Sequence, residues 1–232
     1  MASGEMKERV RVLREQGRSP KQIARALGMS PAAVAPLVRA VAAEAGRKPS
    51  APALAGCWVS SDWAIGLTLR GQPSWPGLPA PAESGTSGMV TVAVAREQGG
   101  SKISACTYLV DAYCLGVKNA TGPQAMDRRK LPEFLFQTFR AYSDSPLPAP
   151  LDLAQHLVFG AIEYARGLGF EPHPDFASCV GHLGDWKGPS VIGFGRDGKP
   201  LFIQGPYDDA ASIIQTLEDN VGRDEFDFIG IA

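Results

Sequence analysis

Apolar side chains recur every three or four residues in three short stretches near the start of the chain. This spacing predicts helices over residues 6–17, 19–28 and 30–45. Ser19 and Ser30 are each followed by proline, a pair typical of a helix N-terminus, and Gln22 completes a capping box with Ser19. Gly28 permits a tight turn between the second and third helices. The sequence therefore predicts an all-helical N-terminal domain.

From Cys57 onwards, the pattern mixes strict alternation with helical spacing. Alternation predicts strands over residues 89–97, 102–114, 190–194, 201–204 and 226–231. The first two should form one hairpin, and the next two should form a second hairpin around the turn Arg196-Asp197-Gly198-Lys199. Helical spacing predicts helices over residues 131–142, 151–167 and 208–221. Asp208 would cap the last helix. Hairpins without regular βαβ alternation indicate an α+β fold.

Two stretches rich in proline and glycine divide the chain. Residues 46–56 are rich in Pro, Ala and Gly and are interpreted as a linker. We therefore expect a helical domain over residues 1–45 and a larger mixed α+β domain with antiparallel hairpins over residues 57–232. Within the larger domain, residues 71–88 are expected to form a long loop.

The two parts of the chain also differ in net charge. The chain has 232 residues and a net charge of −1. Residues 1–48 hold ten Lys/Arg against four Asp/Glu, whereas residues 49–232 hold thirteen against twenty. A basic domain on an acidic body indicates that only the N-terminal domain meets a polyanion.

Composition indicates the cellular compartment and excludes several classes of protein. There is no run of about 18 apolar residues, and the first sixteen residues contain no apolar signal-peptide core, so we expect a cytoplasmic protein that does not enter membranes. Four irregularly spaced cysteines do not suit a disulfide scaffold. Neither a P-loop motif nor a dinucleotide-binding glycine motif occurs, and no cofactor is expected.

The segment SPKQIARALGMSPAAVAPLVRAV, residues 19–41, resembles a helix-turn-helix. Ala24 is small where two helices must touch, Gly28 allows the turn, and Met29, Val34 and Leu37 can fill the core between the helices. The resemblance implies DNA binding by the third helix. An ordinary αα-hairpin inside a helical bundle would satisfy the same spacing and remains the alternative.

The residues expected to meet nucleic acid fall into two chemical groups. Basic side chains suited to phosphates are Arg18, Lys21, Arg25 and Arg39. Small side chains at the start of the third helix, where base edges are normally touched, are Ser30, Ala32 and Ala33. Bidentate base contacts need Arg, Lys, Asn or Gln, and none occurs there. This pattern favours affinity without strong sequence readout, and leaves open that the third helix binds RNA or protein.

The remainder of the chain resembles an uncharacterised bacterial domain in the segments YLVDAYCLGVKNA, GAIEYARGLGFEPHPDF and GRDGKPLFIQGPYDD. That resemblance implies a recurring unit and no particular activity. Its most conspicuous polar residue is Asp111, which interrupts an apolar strand. We interpret it as structural, held by Lys118 or by loop amides.

Two enzymatic or metal-binding alternatives can be written for this domain. A metal-dependent phosphodiester hydrolase would use the polar set Asp111, Lys118, Glu163, His173 and Asp175. A zinc site would use His173, Cys179 and His182, with a fourth ligand from Cys57 or Asp185. No spacing shows that either set converges, so we expect neither an enzyme nor a resident metal.

These observations favour a DNA-binding transcriptional regulator. Its larger domain would sense a small-molecule effector, bind a protein partner or form a homodimer, since helix-turn-helix proteins commonly bind two half-sites as dimers. The alternatives are the nucleic-acid-processing hydrolase and an adaptor whose helix-turn-helix binds protein or RNA.

Overall fold

The computed structural model describes residues 6, 9–10, 12–13, 18–44, 52–71, 73–83 and 87–230, and the side chains at 32 and 39–44 are outside this description. Contacts between Cα atoms group the chain into two compact units, residues 1–50 and 51–232. We call them the head and the body, and describe each separately.

Two helices of the head are described in full, α1 (Pro20–Ala26) and α2 (Pro31–Glu44). Ser19 and Gln22 form the expected capping box, because the Ser19 hydroxyl accepts from the Gln22 amide and the Gln22 side chain accepts from the Ser19 amide. Gly28 turns the chain with a φ of 63°, in the left-handed region that favours glycine. The Met29 amide then donates to the Ala24 carbonyl at 2.9 Å.

A small apolar core holds the head together. Its fully buried members are Val10, Ile23, Ala24 and Val34, and its partly buried members are Leu13, Leu27, Met29, Leu37 and Val38. Val10 and Leu13 belong to the predicted helix over residues 6–17, most of which lies outside the described residues. The described positions of that stretch are helical.

A five-stranded antiparallel sheet forms the centre of the body, in the order β5-β4-β3-β1-β6. Its strands are β1 (Leu54–Val59), β3 (Met89–Gly99), β4 (Lys102–Asp111), β5 (Gly116–Asp127) and β6 (Leu147–Pro148). The short strands β2 (Thr68–Leu69) and β7 (Ile192–Gly193) form a separate antiparallel pair, and β8 (Leu201–Ile203) and β9 (Asp227–Ile229) form a parallel pair. The body therefore has the α+β composition that the sequence predicts.

Helices cover the sheet unequally. The body helices are α3 (Leu131–Phe139), α4 (Leu151–Gly167), α5 (Phe176–Leu183) and α6 (Ala210–Asn220), with a 3₁₀ turn at Arg128–Lys130 before α3. The main core, between the sheet and α4 and α5, includes Val92, Cys106 and Leu157. The opposite face bears a smaller cluster at one end, where Ile103 packs against Phe134 of α3. Alternate strand residues point to opposite faces, which explains this division.

The structure corrects four predictions made from the pattern. Strand β1 begins at Leu54, inside the predicted linker 46–56. Strand β5 was missed, and β4 ends at Asp111 rather than at residue 114. The predicted hairpin over residues 190–204 is wrong, because β7 pairs with β2 and β8 pairs with β9. Helix α6 is capped by Asp209, not Asp208, since the Asp209 side chain accepts from the Ser212 amide.

Among the helices of the described residues, none combines the length and the apolar character needed to cross a membrane.

Candidate functional site

The head exposes basic side chains along one helix. Lys21 and Arg25 lie four residues apart on α1 and therefore on the same side of it, and Arg18 immediately precedes the helix cap. All three side chains are exposed. We call these three residues the basic face of the head. The side chain of Arg39, the fourth predicted phosphate contact, lies outside the described part of the chain.

The N-terminus of α2 carries small exposed residues. Ser30, Pro31 and Ala33 are exposed, and the Ser30 hydroxyl accepts from the Ala33 amide at 3.2 Å, which caps the helix. The side chain of Ala32 lies outside the described residues. Pro36 is also exposed and lies within the helix. This end of α2 therefore has little capacity for hydrogen bonds to base edges.

In the body, three of the predicted catalytic residues line a single cavity. The cavity has a volume of about 730 Å³ and lies where β3, β4 and β5 approach the loop after β8. Its polar lining residues are Ser87, Asp111, Lys118, Asn119, His173, Gln204 and Asp208. Its apolar and aromatic lining residues are Met89, Leu109, Ile203, Pro206 and Tyr207, beside the backbone of Gly205. We call this the Asp111 cavity.

Asp111 ends strand β4 and is only 4% exposed. Its Oδ1 accepts from the backbone amides of Tyr113 and Cys114, each at 3.0 Å. Burial raises the pKa of this carboxyl from its ordinary value of 3.8 to about 6, while the backbone amides and the charge of Lys118 lower it. The expected hydrogen bonds to loop amides are thus present, and they fix the turn that follows β4.

Lys118 forms its ion pair with Asp208 rather than with Asp111. Its Nζ donates to both carboxylate oxygens of Asp208, at 2.9 and 2.6 Å. Both side chains are largely buried, with exposed fractions of 20% and 13%. The Asp208 carboxylate also accepts from the Gly205 amide at 2.8 Å, so it holds β5 and the loop after β8 together.

His173 is fixed beside the cavity through its backbone and its ring. Its amide donates to the Val117 carbonyl at 2.9 Å, and its Nδ1 accepts from the Asp175 amide at 3.3 Å. The Asp175 carboxylate lies 3.6 Å from the same Nδ1. Because the ring is 41% exposed, it belongs to the solvent side of the cavity.

The hydrolase set does not converge as a whole. Glu163 lies on α4 and accepts a hydrogen bond from the indole Nε1 of Trp186. Asp175 precedes α5 and is largely exposed. Neither residue lines the Asp111 cavity. The chemistry that remains there is one buried carboxyl, one ion pair and one histidine.

The residues of the predicted zinc set are held apart by other partners. The Cys179 thiol is fully buried and points to the Gly122 carbonyl at 3.5 Å. His182 lies with its Nε2 3.0 Å from the Ser104 hydroxyl and 3.1 Å from the Ser104 carbonyl oxygen. Within the described residues, no three His, Cys, Asp or Glu side chains are grouped closely enough to hold a metal ion.

Of the ten lining residues that the sequence did not identify as site residues, Asp208 and Tyr207 have the most to offer a ligand. Asp208 stands beside Asp209, and either could cap a helix, so the pattern did not reveal its ion pair. Tyr207 is 98% exposed, although it lines the cavity. An aromatic residue in a Pro-Tyr-Asp-Asp turn is the signal that could have drawn attention to this loop.

The described surfaces offer two kinds of binding chemistry. The basic face of the head suits phosphate groups, and the Asp111 cavity suits a small molecule with both polar and apolar parts. Comparisons with known protein families, with curated proteins and with solved structures found no match for this chain.

Proposed function

We propose that this protein is a DNA-binding regulator of the helix-turn-helix type, with a body that binds a small-molecule effector. The observation that carries the proposal is the packing of α1 against α2 around the Gly28 turn. Ala24 and Val34 are buried between these helices, while the start of α2 remains exposed. This is the arrangement in which a second helix is free to enter the major groove.

The charge distribution supports nucleic acid as the partner of the head. Lys21 and Arg25 lie on one side of α1, which in this class of motif lies across the backbone of the duplex. The acidic balance of residues 49–232 gives the body no comparable attraction for phosphates.

The small residues at the start of α2 determine what kind of binding we expect. Ser30 can form a single hydrogen bond and Ala33 can touch a thymine methyl group, so base readout is weak. Affinity should come mainly from phosphate contacts and fall steeply with salt. Sequence preference would then need two heads acting together, and we propose that the protein binds DNA as a homodimer.

The experiment is a salt titration of binding by the intact protein to a fluorescent random-sequence DNA duplex, measured by anisotropy. The double variant Lys21→Ala/Arg25→Ala removes two phosphate contacts. It should weaken binding about tenfold or more and reduce the slope of log affinity against log salt by about two. Sequence-scrambled duplexes should bind within about tenfold of one another.

The matched control is Lys102→Ala/Arg140→Ala, which removes the same charge from exposed positions of the body. This variant should bind like the wild type. The proposal fails if the two double variants are weakened equally, or if the intact protein does not bind the duplex. Tighter binding to a single-stranded or duplex RNA of the same sequence would identify the head as an RNA-binding module instead.

A further inference from the structure

We propose that the Asp111 cavity binds a small organic monocation, with an amidinium or guanidinium group directed at Asp111 and an apolar body against the cavity wall. This inference names the effector class of the proposed function, and its regulatory meaning rests on that function. The binding itself rests on the cavity alone.

The charges that line the cavity do not balance. Asp111 and Asp208 supply two carboxylates and Lys118 supplies one ammonium, while the Nδ1 of His173 is occupied by the Asp175 amide. The ion pair at 2.6 Å matches Lys118 with Asp208. Asp111 is therefore left without a cationic side chain bonded to it among the described residues, and a ligand with one positive charge would supply the missing partner.

Asp111 also has acceptor capacity left for such a ligand. A carboxylate offers about four acceptor positions. The backbone amides of Tyr113 and Cys114 contribute two hydrogen bonds, both to Oδ1. A planar amidinium donates through N–H groups in a fixed fork, so it can use a remaining carboxylate position while its second N–H group reaches a neighbouring acceptor. The Asn119 side chain, which also lines the cavity, offers such an acceptor.

An anionic ligand fits the same cavity poorly. Both oxygens of Asp208 already engage Lys118, so an incoming carboxylate or phosphate would have to displace them. It would also approach the buried Asp111 carboxyl, and bringing like charges together in a poorly solvated site is unfavourable.

The remaining walls suit the apolar part of the ligand. Met89, Leu109 and Ile203 present hydrocarbon to the cavity, whose volume of about 730 Å³ lies in the usual range for small-molecule sites. Tyr207 stands at the cavity almost fully exposed, where its ring makes little contact with the rest of the body. An aromatic face in this position attracts a cation and can stack on a planar ligand.

The test compares three probes of nearly identical shape that differ in charge: benzamidine, benzamide and benzoate. Binding to the intact protein, without nucleic acid, is measured by isothermal titration calorimetry. We expect saturable binding of benzamidine, at least about tenfold tighter than that of benzamide, and weaker binding still of benzoate.

Variants locate the binding in this cavity. Asp111→Asn keeps the shape but removes the charge, and should lower benzamidine affinity to that of benzamide. Asp224→Asn makes the same chemical change at an exposed position outside the cavity and should leave affinity unchanged. Tyr207 is 98% exposed, and Tyr207→Ala should weaken the affinity for benzamidine by about threefold or more, a loss typical of an exposed cation–π contact.

The proposal is overturned if benzoate or benzamide binds as tightly as benzamidine, if no probe shows saturable binding, or if Asp111→Asn and Asp224→Asn behave alike. Because these measurements contain no DNA, such a result would leave the nucleic-acid binding of the head untouched. Conversely, a head that fails to bind DNA would leave cation binding by the body in place.

Discussion

At Asp111, burial and hydrogen bonding act in opposite directions on one carboxyl group. Burial is the larger effect and raises the pKa of Asp111 to about 6 in the folded chain. The folded state therefore binds this proton more tightly than the unfolded state does. The resulting stabilisation is complete below about pH 4 and is lost as the pH rises through about 6.

This sign predicts the pH dependence of Asp111→Asn. An amide cannot ionise, so the variant escapes the loss that the wild type suffers. Relative to the wild type, its free energy of unfolding should rise by about 2 kcal/mol between about pH 4 and pH 7. Urea denaturation of both proteins at the two pH values measures the difference. A difference that does not vary with pH would show that Asp111 ionises as easily in the folded chain as in the unfolded chain.

A companion variant separates charge from hydrogen bonding. Asp111→Ala removes the acceptor of the Tyr113 and Cys114 amides, and should be less stable than Asp111→Asn by about 2 kcal/mol at pH 7. Equal stability of the two variants would mean that these amides find other partners.

The role of a single residue can be predicted when its bonding partners lie close to it in the sequence. Asp111 was identified because an acid among apolar strand residues needs nearby compensation, and its amide partners lie within four residues of it. The ion pair of Lys118 with Asp208 joins positions 90 residues apart. No periodicity or capping rule could have selected Asp208 over Asp209 for that role.

At the scale of elements, a strong hydrophobic periodicity predicts where a helix or strand lies, whereas a weak periodicity does not. Helix α4 was predicted with the bounds observed, because Leu153, Leu157 and Ala161 form an uninterrupted buried stripe. Strand β5 was missed because its sequence, GVKNATGPQAMD, has glycine, asparagine and proline where β-branched residues would signal a strand. An edge strand tolerates Pro123, since one side of it needs no amide donor.

Gly116, the first residue of β5, tests how closely this strand packs on α4. Its φ of 68° is left-handed, and a Cβ added there would lie 2.8 Å from the Ala165 Cβ and 2.9 Å from the Ala161 carbonyl oxygen. Gly116→Ala combines backbone strain with a clash against main chain, and should cost about 3 kcal/mol of stability. Thermal denaturation followed by circular dichroism measures the loss.

The control for this variant is Gly167→Ala at the end of α4. Nothing lies within 4 Å of the added Cβ, and φ is not left-handed. This change should stabilise the body by about 0.5–1 kcal/mol, because alanine loses less chain entropy in a helix. If Gly116→Ala melted at the same temperature as Gly167→Ala, β5 would be able to move away from α4 at no cost in free energy.

For the whole molecule, composition and element types indicated the α+β class of the body. The pairing of the strands could not be predicted from local sequence patterns. Strands β7 and β8 flank a turn typical of a hairpin, yet they pair with β2 and β9. Ile192 of β7 and Leu201 of β8 are both buried in the main core, whereas Phe202 of β8 lies in a second cluster with Leu217. Only the folded context supplies these partners.

The boundary of the body leads to a prediction about fragments. Residues before Cys57 are tied to the sheet, since the Glu97 amide donates to the Ala53 carbonyl and Arg96 donates to the Pro52 carbonyl. A fragment of residues 51–232 should fold and melt cooperatively without the head. A fragment of residues 57–232 loses half of β1 and should melt several degrees lower, as a loss of a few kcal/mol implies. Calorimetry of both fragments checks this, and identical melting would place the true boundary at Cys57.

The Asp111 cavity draws its walls from segments far apart in the chain, from Ser87 to Asp208. On the ribosome, residues 18–44 of the head emerge well before the loop of Asp208, and β8 can pair with β9 only after Ile229 has been made. Under the proposed function, a nascent chain therefore has a DNA-binding head before it has an effector site. Effector binding, in contrast, has to wait until Asp208 has been made and can form its ion pair with Lys118.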